Sequence, residues 1–260
     1  MYILFSLIFL LFPPLLIFAL SLRKDHYCSD EKFWQRQNWK LSEIAILLFI
    51  ISLIQISGYL LFKYNIFTSA YSYEFLNFLL RIVILSGVYI YLFSKHSFNF
   101  KLVGIDSNKI LFKASIGFCA FLAYSGLVVG LSILTKRPHL ITDRADDFFT
   151  INFHNFPLFF KLIYIFSLVV IAPLLEEFFF RGLIYGPLQR KVGVGWGIVA
   201  CSFVWALGHN DLRYLGGVFF IGLILCFLYK QTKSLIPGMV MHSLLNMSNL
   251  FIYVYIVTRN

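Results

Sequence analysis

Charge is scarce in this chain of 260 residues: Asp, Glu, Lys and Arg make up 13% of it, and only 12 residues are acidic. A soluble globular domain carries about a quarter of its residues charged, so that class is excluded. The four cysteines, Cys28, Cys119, Cys201 and Cys226, form no CxxC pair, show no metal-ligand spacing and fall mostly inside apolar runs. This excludes a disulfide framework and a cysteine-based zinc site, and leaves them as small core residues. No HExxH occurs. No repeat at a fixed period and no low-complexity linker occur either, so one membrane domain over residues 1–260 is the simplest organisation. The first apolar run has no basic n-region and no evident small-residue cleavage site, and Arg23-Lys24 lies after it. Residues 1–22 therefore read as a retained span and not as a signal peptide.

What is present is hydrophobic: 60% apolar residues, 19% aromatic, and a mean hydropathy of +0.81. Apolar runs near the roughly 20 residues needed to cross a bilayer lie at 3–22, 42–62, 75–93, 110–135, 156–188, 194–209, 214–230 and 235–257. The expected fold is all-α, a polytopic cell-membrane protein of about eight transmembrane helices around an intramembrane cavity. Residues 1–135 read as scaffold spans and 156–257 as the motif-bearing core. The net charge of +10 fits cytoplasmic loop anchors in contact with the bilayer better than nucleic acid, which is not expected as a partner. Lys and Arg gather beside the loops after spans 1, 3, 5 and 7, which places both termini outside if all eight spans are real.

Charged residues inside the runs are few. Arg81 reads as a snorkelling or bundle-facing side chain, with Glu74 two turns away as its partner. Glu176 and Glu177 stand side by side within an apolar stretch, where a charge costs at least about 2.5 to 3.5 kcal/mol and points to function. At about 100° per residue, Glu177 shares a face with Arg181 four positions on, while Glu176 lies about 140° around the helix. A paired Glu177 is then structural, and a free Glu176 suits general acid–base work. Pro173 removes a backbone donor just before the pair, which bends the helix or frees a carbonyl.

His209 closes the sixth run after Trp205, and His242 and Asn246 share a face of the eighth. Each histidine alone reads as a satisfied core residue; together with an amide and a free carboxylate they form a candidate site. Counting about 1.5 Å per residue from the cytoplasmic helix ends puts Glu176, His209 and Asn246 at one depth, and His242 one turn shallower.

Glu176-Glu177-x-x-x-Arg181 with its preceding Ala-Pro and following Gly182, Trp205-x-x-x-His209, and His242-x-x-x-Asn246 together resemble the three motifs of the CAAX protease and bacteriocin-processing (Abi) family of intramembrane endopeptidases. The resemblance covers about residues 165–250. It implies a hydrolase in which Glu176 and His209 activate a water while His242 and Asn246 stabilise the oxyanion. Glu177 and Arg181 would hold the geometry. Trp205 stands where the family usually has Phe, a change expected to alter pocket size more than chemistry. The substrate implied is a membrane-associated peptide or protein, a lipidated tail or a leader peptide.

No cofactor is expected in the preferred glutamic mechanism; the alternative is a zinc enzyme in which Glu176, His209 and His242 hold the metal. Two other classes stay open. A catalytically silent scaffold or immunity protein would bind peptides in the same cavity, and a proton carrier would relay charge through Glu176 and His209. A carrier would more naturally show inverted repeats, which this chain lacks.

Overall fold

The computed structural model describes residues 2–22, 32–64, 70–136, 156–209 and 212–259. They are all-α, and no strand occurs among them. The helices are α1 (Tyr2–Ser21), the short α2 (Lys32–Gln35), α3 (Leu41–Lys63), α4 (Ala70–His96), α5 (Ile110–Thr135), α6 (Leu158–Val192), α7 (Val194–Leu207), α8 (Leu215–Thr232) and α9 (Ile236–Arg259). In hydrocarbon a chain must satisfy every N–H and C=O internally, so these apolar runs have helix as their open solution.

Five of these helices are long and apolar enough to cross a membrane: α3, α4, α5, α6 and α8. The chain is thus a multi-pass membrane protein, with five such helices among the described residues where eight spans were expected. The apolar segment Leu11–Ser21 of α1 and the 14-residue α7 are short. Helix α9 has the length, with 24 residues, but carries His242, Ser243, Asn246, Ser248 and Asn249.

Helix α6 is not a plain α-helix. Two stretches, Ser167–Ile171 and Glu177–Tyr185, are π-helical, separated by a single α-helical turn, Ala172–Glu176. Such π segments are rare and tend to sit at functional sites. They widen the helix and shorten its rise, so Glu176 lies nearer the C-terminal end of α6 than a count at the α-helical rise gives. His242 comes within 3.9 Å of Glu176, while Asn246 reaches the Leu168 carbonyl, eight residues before Glu176, where a common depth for Glu176 and Asn246 was expected.

Helix α9 packs along α5, α7 along α8, and α1 along α3. One core gathers Trp34, Trp39, Phe98, Tyr185 and Tyr229, all at most 1% exposed. Trp39 Nε1 donates to the Leu183 carbonyl at 2.9 Å, and Gln37 Nε2 donates to the Tyr229 hydroxyl at 3.2 Å. These bonds tie the segment before α3 to α6 and α8. A second core, around Trp205, Leu225, Met241 and Leu245, lies beneath the motif residues.

Candidate active site

Glu177 and Arg181 form the expected i, i+4 pair, 3.0 Å apart, with side chains 1% and 0% exposed. Arg181 also donates through Nη2 to the Gly222 carbonyl at 3.1 Å, and its guanidinium lies 4.7 Å from the centre of the Trp205 ring. One side chain therefore joins α6, α7 and α8. The approach is close at both carboxylate and carbonyl. A Cβ at Gly222 would press on Ser202 and Trp205 at 3.0 Å, and one at Gly238 would meet Glu177 Oε2 at 2.7 Å. Glycine is what lets α8 and α9 come this near.

Glu176 faces the other way, into a cavity of about 230 Å³ whose wall includes Pro13, Pro14, Arg81, Phe179, Trp205 and His209. It is not the solitary carboxylate expected. Trp205 Nε1 donates to Glu176 Oε2 at 2.7 Å, and the Nε2 atoms of His209 and His242 stand 4.0 and 3.9 Å from the same oxygen. The expectation that Trp205 changes pocket size more than chemistry is corrected by that bond, since phenylalanine has no N–H to give. The indole also meets both imidazoles edge-on, at 4.6 Å for His209 and 5.4 Å for His242.

Hydrogen-bond partners orient the histidine rings. His209 Nδ1 lies 3.0 Å from the Trp205 carbonyl, an acceptor, which turns the Nε2 edge of the ring toward Glu176. His242 Nδ1 lies 3.3 Å from Glu177 Oε1, again an acceptor. Its Nε2 becomes a donor only in the imidazolium form. Glu176 and His209 are each one-third exposed, whereas His242 is 5% exposed behind them.

Asn246 is drawn to α6 by a vacancy in the backbone. The Ala172 N–H bonds to Ser167 O, five residues back, and not to the Leu168 carbonyl, its α-helical partner. A π-helical partner for Leu168 would be Pro173, which has no N–H. Asn246 Nδ2 takes that carbonyl at 2.9 Å. The expected freeing of a carbonyl by Pro173 is thus seen, and a buried carbonyl needs such a partner.

Arg81 is the residue the sequence reading placed outside the site. It lies on α4, lines the same cavity as Glu176, and donates through Nη1 to Ser167 Oγ at 2.9 Å. The Glu74 side chain lies outside the described residues. The one available signal was Arg81's position inside an apolar span, which by itself marks function.

No group of three His, Cys, Asp or Glu among the described residues is arranged to hold a metal ion.

Residues 158–248 match the family described as type II CAAX prenyl endopeptidase Rce1-like. The chain is similar to the membrane-embedded CAAX protease MroQ of Staphylococcus aureus (strain USA300), at 36% identity over 90 residues, 32% of this chain and 36% of that protein. It is also similar to the putative membrane peptidase YdiL of Bacillus subtilis (strain 168), at 30% identity over 77 residues, 30% of this chain and 32% of that protein. The matches span about a third of the length of these curated relatives. No solved structure matches the chain. All three motifs, from Glu176 to Asn246, lie within residues 158–248, so the segment that is similar to the type II CAAX prenyl endopeptidase Rce1-like family is the one that carries the candidate site.

Proposed function

We propose that the chain is an intramembrane endopeptidase that cleaves a peptide bond in a membrane-associated substrate, a lipidated tail or a leader peptide, by a glutamic mechanism. The observation that carries this reading is the gap between Glu176 Oε2 and His209 Nε2. At 4.0 Å it is too long for a direct hydrogen bond, and both residues line one cavity. One water, at about 2.8 Å from each, fits such a gap.

Glu176 takes a proton as the water oxygen attacks the carbonyl carbon, and returns it to the amine as the C–N bond breaks. Trp205 N–H fixes the carboxylate, and Glu177 with Arg181 fixes the helix that carries it. His242 and Asn246 are the groups the family resemblance assigns to the oxyanion. Asn246 keeps one amide proton beyond that given to Leu168, and His242 turns Nε2 toward Glu176.

The zinc-dependent version is the second reading, favoured by one observation: both imidazoles turn Nε2 toward Glu176 Oε2 with Nδ1 anchored on an acceptor, as metal-ligating histidines do. Glu176, His209 and His242 would have to close on one another to hold an ion, since no such group is arranged for one among the described residues, and the ion would then supply an acidified water. Cleavage of a pool of membrane-anchored peptides by the detergent-purified protein tests both readings. The glutamic mechanism is expected to lose about 10²-fold or more in Glu176→Gln and in His209→Ala, and to survive a strong zinc chelator. Loss on chelation restored by zinc selects the metal version, and unchanged cleavage in both variants removes the peptidase reading.

A further inference from the structure

We propose that Arg81 is a further catalytic residue, which holds the negatively charged oxygen formed during peptide hydrolysis. The inference rests on the peptidase reading above and names a group that neither the three motifs nor the matched segment contains.

Arg81 and Glu176 are the charged residues among those that line the cavity. The guanidinium's hydrogen bond to Ser167 Oγ positions it without neutralising it, because a hydroxyl brings no counter-charge. Ser167 and Leu168 are consecutive, so the π segment of α6 takes Arg81 from α4 at one residue and Asn246 from α9 at the next. The amide of the third motif thus spends one of its two protons on the Leu168 carbonyl, and His242 Nδ1 is engaged by Glu177. Arg81 keeps donors beyond the one spent on Ser167 and is always charged.

Charge migration explains why a cation belongs there. Before reaction, Glu176 brings one negative charge to the cavity wall and Arg81 one positive. When water adds, its oxygen bonds to the carbonyl carbon, its proton goes to Glu176, and the carbonyl π pair becomes the lone pair of an oxyanion. The negative charge moves from Glu176 to the substrate while the net charge stays zero. A fixed cation that meets the carbonyl oxygen through its remaining N–H donors, closer than it lies to Glu176, therefore favours the product of that step, and in apolar surroundings the effect is strong. As the intermediate collapses, the pair returns to the carbonyl, the C–N bond breaks and Glu176 gives its proton to the amine. A substrate carboxylate bound by Arg81 would instead add a third charge to the cavity and leave it net negative.

The experiment uses a membrane-anchored peptide that the full-length protein cleaves, in free-acid and C-terminally amidated forms, and a phosphinate analogue whose tetrahedral anion stands in for the intermediate. Arg81→Gln is expected to lower kcat by about 10²-fold with KM unchanged, to weaken phosphinate binding by the same factor, and to act alike on both peptide forms. Arg81→Lys restores part of both losses, which a packing defect would not allow. An unchanged kcat, or equal weakening of peptide and phosphinate, overturns the proposal. So does a wild type that requires the free acid and a variant indifferent to it, since Arg81 then binds a substrate carboxylate. Cleavage that persists in Glu176→Gln removes the underlying glutamic mechanism at this site, an outcome distinct from loss of the Arg81 role alone.

Discussion

In α4 and α5 the side chains turn outward: Val83 is 65% exposed, Ile90 64% and Leu111 83%. In the π-helical stretch Glu177–Tyr185 every residue but Phe180 is buried. Both stretches are apolar enough to live in a bilayer, but the outward faces ask only for hydrophobicity, whereas the π stretch must match particular neighbours on α3, α7, α8 and α9. The contrast is incomplete at two places. Pro13 and Pro14 of α1 and Arg81 of α4 enter the cavity wall, so the early helices supply one side of a site whose motifs all lie in the later ones.

Cutting the buried pair should break the comparison most severely. Glu177→Gln or Arg181→Met leaves an uncompensated charge beside Gly222 and Trp205, an expected loss of about 3 to 5 kcal/mol. It would be read as a large drop in Tm in detergent or failure to accumulate. Trp205→Phe keeps the aromatic face for Arg181 but deletes the N–H held by Glu176; a hydrogen bond to a charged group is worth about 1.5 to 3 kcal/mol, so cleavage should fall while Tm moves little. A Tm loss as large as that of Arg181→Met would make Trp205 a packing residue and not a positioning one.

Two weaker tests sharpen the outward side. Leu111→Ala is expected to stay within about 0.5 kcal/mol of wild type in stability, with cleavage unchanged, because its side chain packs on no core. In the turn between α4 and α5, the Lys113 ammonium hydrogen-bonded at 2.6 Å to Asp106 holds that carboxyl below its ordinary range. A lowered folded-state value means the contribution is present above the ordinary carboxylate range and is lost as pH falls through the folded value. The stability difference between wild type and Asp106→Asn, read from their Tm values, should therefore be small, about 1 kcal/mol or less, and vanish in acid.

The pairing of Glu177 with Arg181 was legible because i, i+4 neighbours meet on any helical face. The freed carbonyl was legible at Pro173, since proline has no donor whatever surrounds it. The bond from Trp205 to Glu176 was not, because it joins residues 29 apart in sequence through the packing of α7 on α6. The order of depth failed for a local reason: the π register of α6 changes rise per residue, and no spacing rule signals it.

Hydrophobic length determined the membrane class and the all-α fold, because backbone hydrogen bonds cannot be left open in lipid. The intramembrane charges marked where function lies, because burial of charge is costly enough to need a reason. Tertiary structure alone decided that Asn246 serves a backbone carbonyl, that His242 stands between the two glutamates, and that Arg81 reaches the cavity. Those outcomes depend on how helices distant in sequence pack against one another, and helical periodicity carries no record of that.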